Sequence, residues 1–291
     1  MEPIRAADLL VKRRLPDMPV ARSQMVDRLV RNYGIGPPIT DAMLAIPRHA
    51  FAPPMFWRLG YAEMELWAPG QFLVKPSVIA RIASELVACS CRTILEYSAW
   101  TGYAACILSF IGERIDTVDH DPWLLWLASD AYRELGIGKI HQKASDGILG
   151  WPERAPYDAL IFSAAIPAIN PFLFDQLADG GVIIAPVGSY FGPQRLTLAA
   201  KRRGHISFRD MGLCVYPPLM GVWSGNVFGF VRTPPGHPVA ERTNNKKPSG
   251  ADAAGAVQSA GMRPTQQAGI NTEGQDSSAK QSSTKARSRR R

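Results

Sequence analysis

Between Arg92 and Gly188 five short apolar runs alternate with helix-like segments, and this alternation constrains the fold more than any other feature. RTILEY, RIDTVD, KIHQKA, YDALIFS and GGVIIAPVG read as strands. Helices beginning near Tyr103, Pro122 and Asn170 fall between several of them. Strands this apolar, separated by helices, are buried on both faces, so they argue for a parallel sheet with helices on each side. RLTLAAKR and NVFGFVR follow with no clear helix between them, which predicts a hairpin-like, partly antiparallel edge. The fold class is therefore α/β, with a seven-stranded, mostly parallel sheet.

Upstream, MVDRLVRNY has helical spacing at Met25, Leu29, Val30 and Tyr33, and GIGPP breaks it. ITDAMLAI predicts a second short helix with Thr40 or Asp41 as N-cap, and PSVIARIASELVA a third, opened by Pro76. The expected organisation is an N-terminal extension (1–20), one folded domain (21–233) and a tail (234–291). From Glu241 onward there are ten Lys or Arg, four Asp or Glu and no aromatic residue. Such a segment cannot bury enough apolar surface to offset the entropy of ordering it, so the tail is expected to be disordered. Most of the net charge of +8 lies there. KARSRRR could touch nucleic acid through charge alone, although a solvated tail is the simpler reading.

No apolar run reaches the roughly 18 residues that span a bilayer, and the N-terminus has no secretory pattern, so a cytoplasmic location without membrane contact is expected. Cysteines at 89, 91, 106 and 214 fit neither a zinc pattern nor a disulfide framework, and no histidine cluster suggests a metal.

In an open α/β sheet the ligand lies beyond the carboxyl ends of the strands. Glu96 ends the first strand of the alternating set and Asp119 the second; the latter is placed to grip ribose hydroxyls. Asp146-Gly147 follows the third, where a short acid could bind an exocyclic amine and the glycine permits close approach. Together they favour a nucleotide-like ligand. Trp123 and Trp126, three apart on the helix after the second strand, are expected to pack in the core.

LEYSAWTGY, TVDHDPWL, SDGILGWPERAPYDALIFSAA and IAPVG resemble the successive motifs of the protein-L-isoaspartate O-methyltransferase family. IPRHAFAP, GYAEMELW and GQFLVKPSVIA resemble its N-terminal portion, and the likeness spans roughly residues 23 to 220. It implies a Rossmann-like methyltransferase fold, S-adenosylmethionine as cofactor, and methylation of isoaspartyl or related carboxylates on a protein or peptide. By position it assigns Asp119 to the ribose, Asp146 and Gly147 to the adenine, and Glu96, Ser98 and Gly102 to the methionine end. Trp151 would pack on the adenine side. The Asn/Asp-Pro-Pro-Tyr/Phe signature of amino-group methyltransferases is replaced by IFSAAIP, which leans against base methylation.

Two departures qualify the resemblance. The family carries glycine at the positions of Ser98 and Trp100. Ser98 is tolerable there if its φ is negative, whereas the Trp100 indole either swings out as a lid or plugs the pocket. The family also has Thr-Ile-Ser where this chain has Phe72-Leu73-Val74, and Val74 cannot donate a hydrogen bond. Lys75, beside it, could attract the substrate carboxylate as a point charge. The leading expectation is a diverged carboxyl methyltransferase. The alternatives are a pseudo-methyltransferase acting as a binding module and, more weakly, an RNA methyltransferase.

Overall fold

The computed structural model describes residues 4–145, 149–189 and 192–219. The tail and NVFGFVR lie outside the described residues, as do Asp146 and Gly147. The elements are α1 (Ala6–Arg13), α2 (Pro19–Tyr33), α3 (Ile39–Ala45), β1 (Leu66–Ala68), β2 (Gln71–Leu73) and α4 (Pro76–Ala88). They are followed by β3 (Thr93–Tyr97), α5 (Tyr103–Leu108), β4 (Arg114–Asp119), α6 (Pro122–Leu135), β5 (Ile140–Ala144) and β6 (Tyr157–Phe162). The last three strands are β7 (Leu177–Val187), β8 (Gln194–Arg202) and β9 (His205–Cys214).

Seven strands form one sheet in the order β5-β4-β3-β6-β7-β8-β9. The first five in that order run parallel, and β8 and β9 close the edge antiparallel. Side chains alternate across the sheet. Ile94, Ile115, Ile161 and Ile184 face a core built with α2 to α6, whereas Leu95, Tyr97, Leu160, Phe162 and Ile183 face the other side. That second face is covered by Leu173 of a 3-10 segment, Pro171–Gln176, with Trp151 and Phe172 against it. The central strands β3, β4 and β6 are buried on both faces, whereas β5 and β9 at the edges are mostly half-buried or exposed.

Several local expectations are corrected. The segment after Asn170 is a 3-10 turn rather than an α-helix. Helix α3 starts at Ile39 after Pro38, with no side-chain cap; Thr40 lies inside the helix and is buried. In α6 the buried stripe is Leu124, Leu125, Ala128, Ala131, Tyr132 and Leu135. Trp123 and Trp126 lie off that stripe, half-buried and exposed respectively, so they are not core residues. No described helix is long and apolar enough to cross a membrane.

Four of these elements had no counterpart in the sequence pattern: the short antiparallel pair β1 and β2, helix α1 and strand β9. Helix α1 buries Leu9 and Leu10 and docks on α6, where Lys12 meets Asp130 at 2.5 Å and Glu134 at 2.9 Å. Strand β9 follows β8 across Arg203-Gly204, both with positive φ (49° and 79°), as a two-residue type I′ turn requires.

Candidate functional site

The sheet order reverses beside β3. From β3 the chain proceeds outward to β4 and β5, then returns to β6 on the other flank. The crevice at the carboxyl ends of β3 and β6 is thus the topological switch point, where open α/β sheets bind ligands. Glu96 and Tyr97 end β3 there, level with Ile161 and Phe162 of β6. Asp119 ends β4 beside them.

The loop from Ser98 to Gly102 turns tightly at this point. Ser98, Trp100 and Gly102 have φ values of 60°, 50° and 89°, so the backbone keeps three left-handed positions although only one is glycine. This corrects the condition that Ser98 needs a negative φ. For an L-residue the left-handed conformation costs about 1–2 kcal/mol, because Cβ crowds the following carbonyl. Gly102 is fixed for a second reason. A Cβ there would lie 2.6 Å from the Tyr132 hydroxyl and 2.9 Å from Ala128 Cβ, so the loop can seat on α6 only without a side chain.

Hydrogen bonds pin the loop. Ser98 N–H donates to Val118 O at 2.8 Å, and Trp100 N–H donates to Asp119 Oδ2 at 3.2 Å. Asp119 is buried, and its Oδ1 accepts from Asp121 N–H at 3.0 Å. His120 Nδ1 lies 3.2 Å from the same oxygen. Burial alone would lower the His120 pKa; the bond to Asp119 and the charges of Asp119 and Asp121 outweigh it and raise the value.

Glu96 is fully buried. Its Oε1 accepts the Ser163 hydroxyl at 2.7 Å, and its Oε2 has no partner among the described residues. Burial pushes its pKa up to about 8; the Ser163 bond works against this and the Asp119 charge adds to it. At pH 7 the group is therefore mostly a neutral acid, and an arriving ammonium group at the vacant oxygen would favour its ionised form. Ser163 escaped the sequence reading because a single serine at the end of an apolar strand carries no spacing signal.

Trp100 lines the same small space as Glu96. The indole Nε1–H donates to Ser163 O at 2.6 Å, spanning the crevice from β3 to β6. The ring meets Phe72 edge-on at 5.7 Å, and Phe72 in turn contacts Trp67 (5.0 Å) and Tyr216 (5.3 Å). The space left among Phe72, Val74, Glu96, Trp100, Ser163 and Tyr216 is about 20 Å³. That holds one water molecule and nothing larger.

Of the sequence-derived site residues, Glu96, Ser98, Gly102 and Asp119 converge at the switch point, and Asp146 and Gly147 lie outside the described residues. Lys75 does not reach the cavity wall, which Val74 supplies; its Nζ lies 3.8 Å from Glu65 Oε1. Trp151 sits between the Lys143 ammonium (5.6 Å) and the Arg154 guanidinium (5.1 Å). Arg154 continues to the buried Asp116 carboxylate at 2.8 Å, which Tyr157 also reaches at 3.1 Å. Asp116, Trp151, Arg154 and Tyr157 thereby pin the loop that enters β6.

Residues 21–223 match the family model "Protein-L-isoaspartate(D-aspartate) O-methyltransferase". The chain belongs to this family. The protein-L-isoaspartate O-methyltransferase of Chlorobaculum parvum is 36% identical over 208 residues, covering 70% of this chain and 94% of the relative. That of Methanoculleus marisnigri is 33% identical over 210 residues, covering 71% and 95%. Among solved structures, one protein-L-isoaspartate O-methyltransferase superposes with a TM-score of 0.60 at 24% identity over 69% of this chain and 66% of its own. A Plasmodium falciparum protein assigned to the same class, in complex with S-adenosyl-L-homocysteine, gives 0.58 at 16% identity over 68% and 97%. These two likenesses establish the fold. Members of the protein-L-isoaspartate O-methyltransferase family are S-adenosylmethionine-dependent carboxyl methyltransferases.

Toward that cofactor the residues of this member divide. Glu96 keeps one oxygen without a partner among the described residues, whereas both Asp119 oxygens already accept hydrogen bonds. The space beside Glu96, as the loop stands, does not admit a methionine arm, because the indole bonded to Ser163 occupies it.

Proposed function

We propose that this chain methylates the side-chain carboxylate of isoaspartyl or closely related residues in proteins or peptides, using S-adenosylmethionine. Family membership gives the reaction class, and the observation that supports it in this molecule is the vacant, buried Glu96 oxygen beside Asp119 at the switch point. In this reading Asp119 holds the ribose, Asp146 and Gly147 the adenine, and Glu96 the ammonium group, with Ser98 and Gly102 shaping the loop. When bound, the cofactor supplies a methyl group on a positive sulfur.

A carboxylate acceptor is already ionised near neutral pH, so the chain's own groups need to orient and desolvate rather than remove a proton. Leu73 and Val74 wall the cavity with apolar surface. Lys75 would have to exchange its partner Glu65 to draw a substrate carboxylate inward.

The test is incubation of the full chain with radiolabelled S-adenosylmethionine and an isoaspartyl peptide, with the normal aspartyl peptide as control. A base-labile methyl ester on the isoaspartyl peptide alone is expected, and Asp119→Ala should reduce the rate at least tenfold. Ester formation on neither peptide would refute the substrate assignment. A second reading, a binding module without turnover, is favoured by one observation: the 20 Å³ left in the cradle. Cofactor binding decides between them.

A further inference from the structure

The indole that closes the crevice is held by contacts that one side-chain rotation would release. We propose that Trp100 is a latch on the cofactor site, the closed state being the one seen here, and that the cofactor binds only when the ring leaves the Ser163 carbonyl. This inference rests on the S-adenosylmethionine reading above.

Four observations carry it. The Nε1–H bond to Ser163 O at 2.6 Å joins the two strand ends between which the ligand would lie. Trp100 lines the same small space as the Glu96 carboxyl, whose Oε2 has no partner among the described residues. The room that remains, about 20 Å³, takes about one water molecule, whereas a methionine arm has seven heavy atoms beyond its sulfur. Trp100 is also only half-buried, packed at the edge of the core beside Phe72, which leads to the exposed Trp67, so the solvent side is the direction open to the ring.

The loop backbone does not have to move with it. Trp100 N–H stays on Asp119, and Ser98 and Gly102 keep their left-handed turns, so the ribose acid is in place in both states. The latch therefore lowers apparent affinity by the fraction of molecules in the open state, as expected when a competent form is a minor population.

The experiment is isothermal titration of the full chain with S-adenosylhomocysteine, a ligand that cannot react. Wild type, Trp100→Gly and Trp100→Phe are compared, each shown to be folded by circular dichroism. Trp100→Gly is expected to bind at least tenfold more tightly than wild type. Trp100→Phe, which keeps the bulk but has no N–H, should lie between them. Wild-type affinity equal to that of both variants would overturn the latch and leave the cofactor reading intact. No binding by any folded variant at millimolar ligand would overturn the cofactor reading, and the latch with it. If Trp100→Gly does not fold, the comparison with Trp100→Phe decides alone, equal affinity again overturning the latch.

Discussion

At Ser98 and Trp100 the backbone holds a conformation that a Cβ opposes, and the rest of the loop enforces it. Val118 and Asp119 hold the N–H groups of Ser98 and Trp100 themselves, so the turn keeps its shape without glycine at either position. Ser98→Gly should therefore raise stability by about 0.5–1 kcal/mol, the relieved strain less the added freedom of the unfolded chain. Ser98→Ala should give no such gain, since it retains Cβ. Urea midpoints of the three proteins check this; a glycine variant no more stable than wild type would show the φ assignment to be wrong. The sequence revealed the missing glycines but not their consequence. Losing them can mean a reshaped loop or a strained one, and only the hydrogen bonds decide. The direction of the Trp100 ring was illegible for the same reason: its partner is a backbone carbonyl 63 residues away.

Elements were legible where hydrophobic period and length agreed. Strands β3, β6 and β7 were legible as apolar runs between turn residues, and β4, β5 and β8 by their place in and after the strand–helix alternation. The edge strand β9 was not, since HISFRDMGLC is mostly exposed and its turn begins with arginine instead of the Asn or Asp that signals a two-residue hairpin. Arg203→Asn should stabilise that turn by roughly 0.5 kcal/mol, because Asn tolerates positive φ and the Arg203 N–H bond to Asp179 is unaffected. A fall in the thermal midpoint would contradict it. Helix α1 was hidden because two buried leucines in eight residues give no period, and its partners on α6 are remote in sequence. Leu9 is completely buried, so Leu9→Ala should cost about 2–5 kcal/mol, read as a lower urea midpoint. An effect below about 0.5 kcal/mol would mean that α1 contributes little to folding.

For the molecule as a whole, the acids that depart from their ordinary pKa fall into two sets, and together they fix how stability depends on pH. Asp158 is lowered: burial opposes this, but N–H groups of Thr93 and Arg92 and the Thr93 hydroxyl outweigh it. Asp210 is lowered by the Gly212 N–H, with burial opposing and Arg195 assisting. A lowered acid contributes stability above its unfolded pKa, and the contribution is lost as pH falls through the folded value, so this set acts only below about pH 4. Asp121, raised by burial, has the opposite sign, and so, more strongly, has Glu96. Its folded pKa of about 8 exceeds the unfolded 4.5, so its contribution is complete below about pH 4.5 and disappears as pH rises to 8. Of the two shifted histidines, His120 is raised and reinforces that decline, while His49, lowered by burial, opposes it. Net stability should therefore peak near pH 4–5 and fall by an amount on the order of a few kcal/mol by pH 8. Urea titrations at pH 5, 6.5 and 8 measure the slope, and Glu96→Gln assigns it: the variant should be flatter than wild type and more stable above pH 7. A wild-type profile level from pH 5 to 8 would mean that Glu96 is not dry, and with it would go the argument that its vacant oxygen awaits a cationic ligand. A steep profile that Glu96→Gln leaves unchanged would place the titrating group elsewhere in the fold.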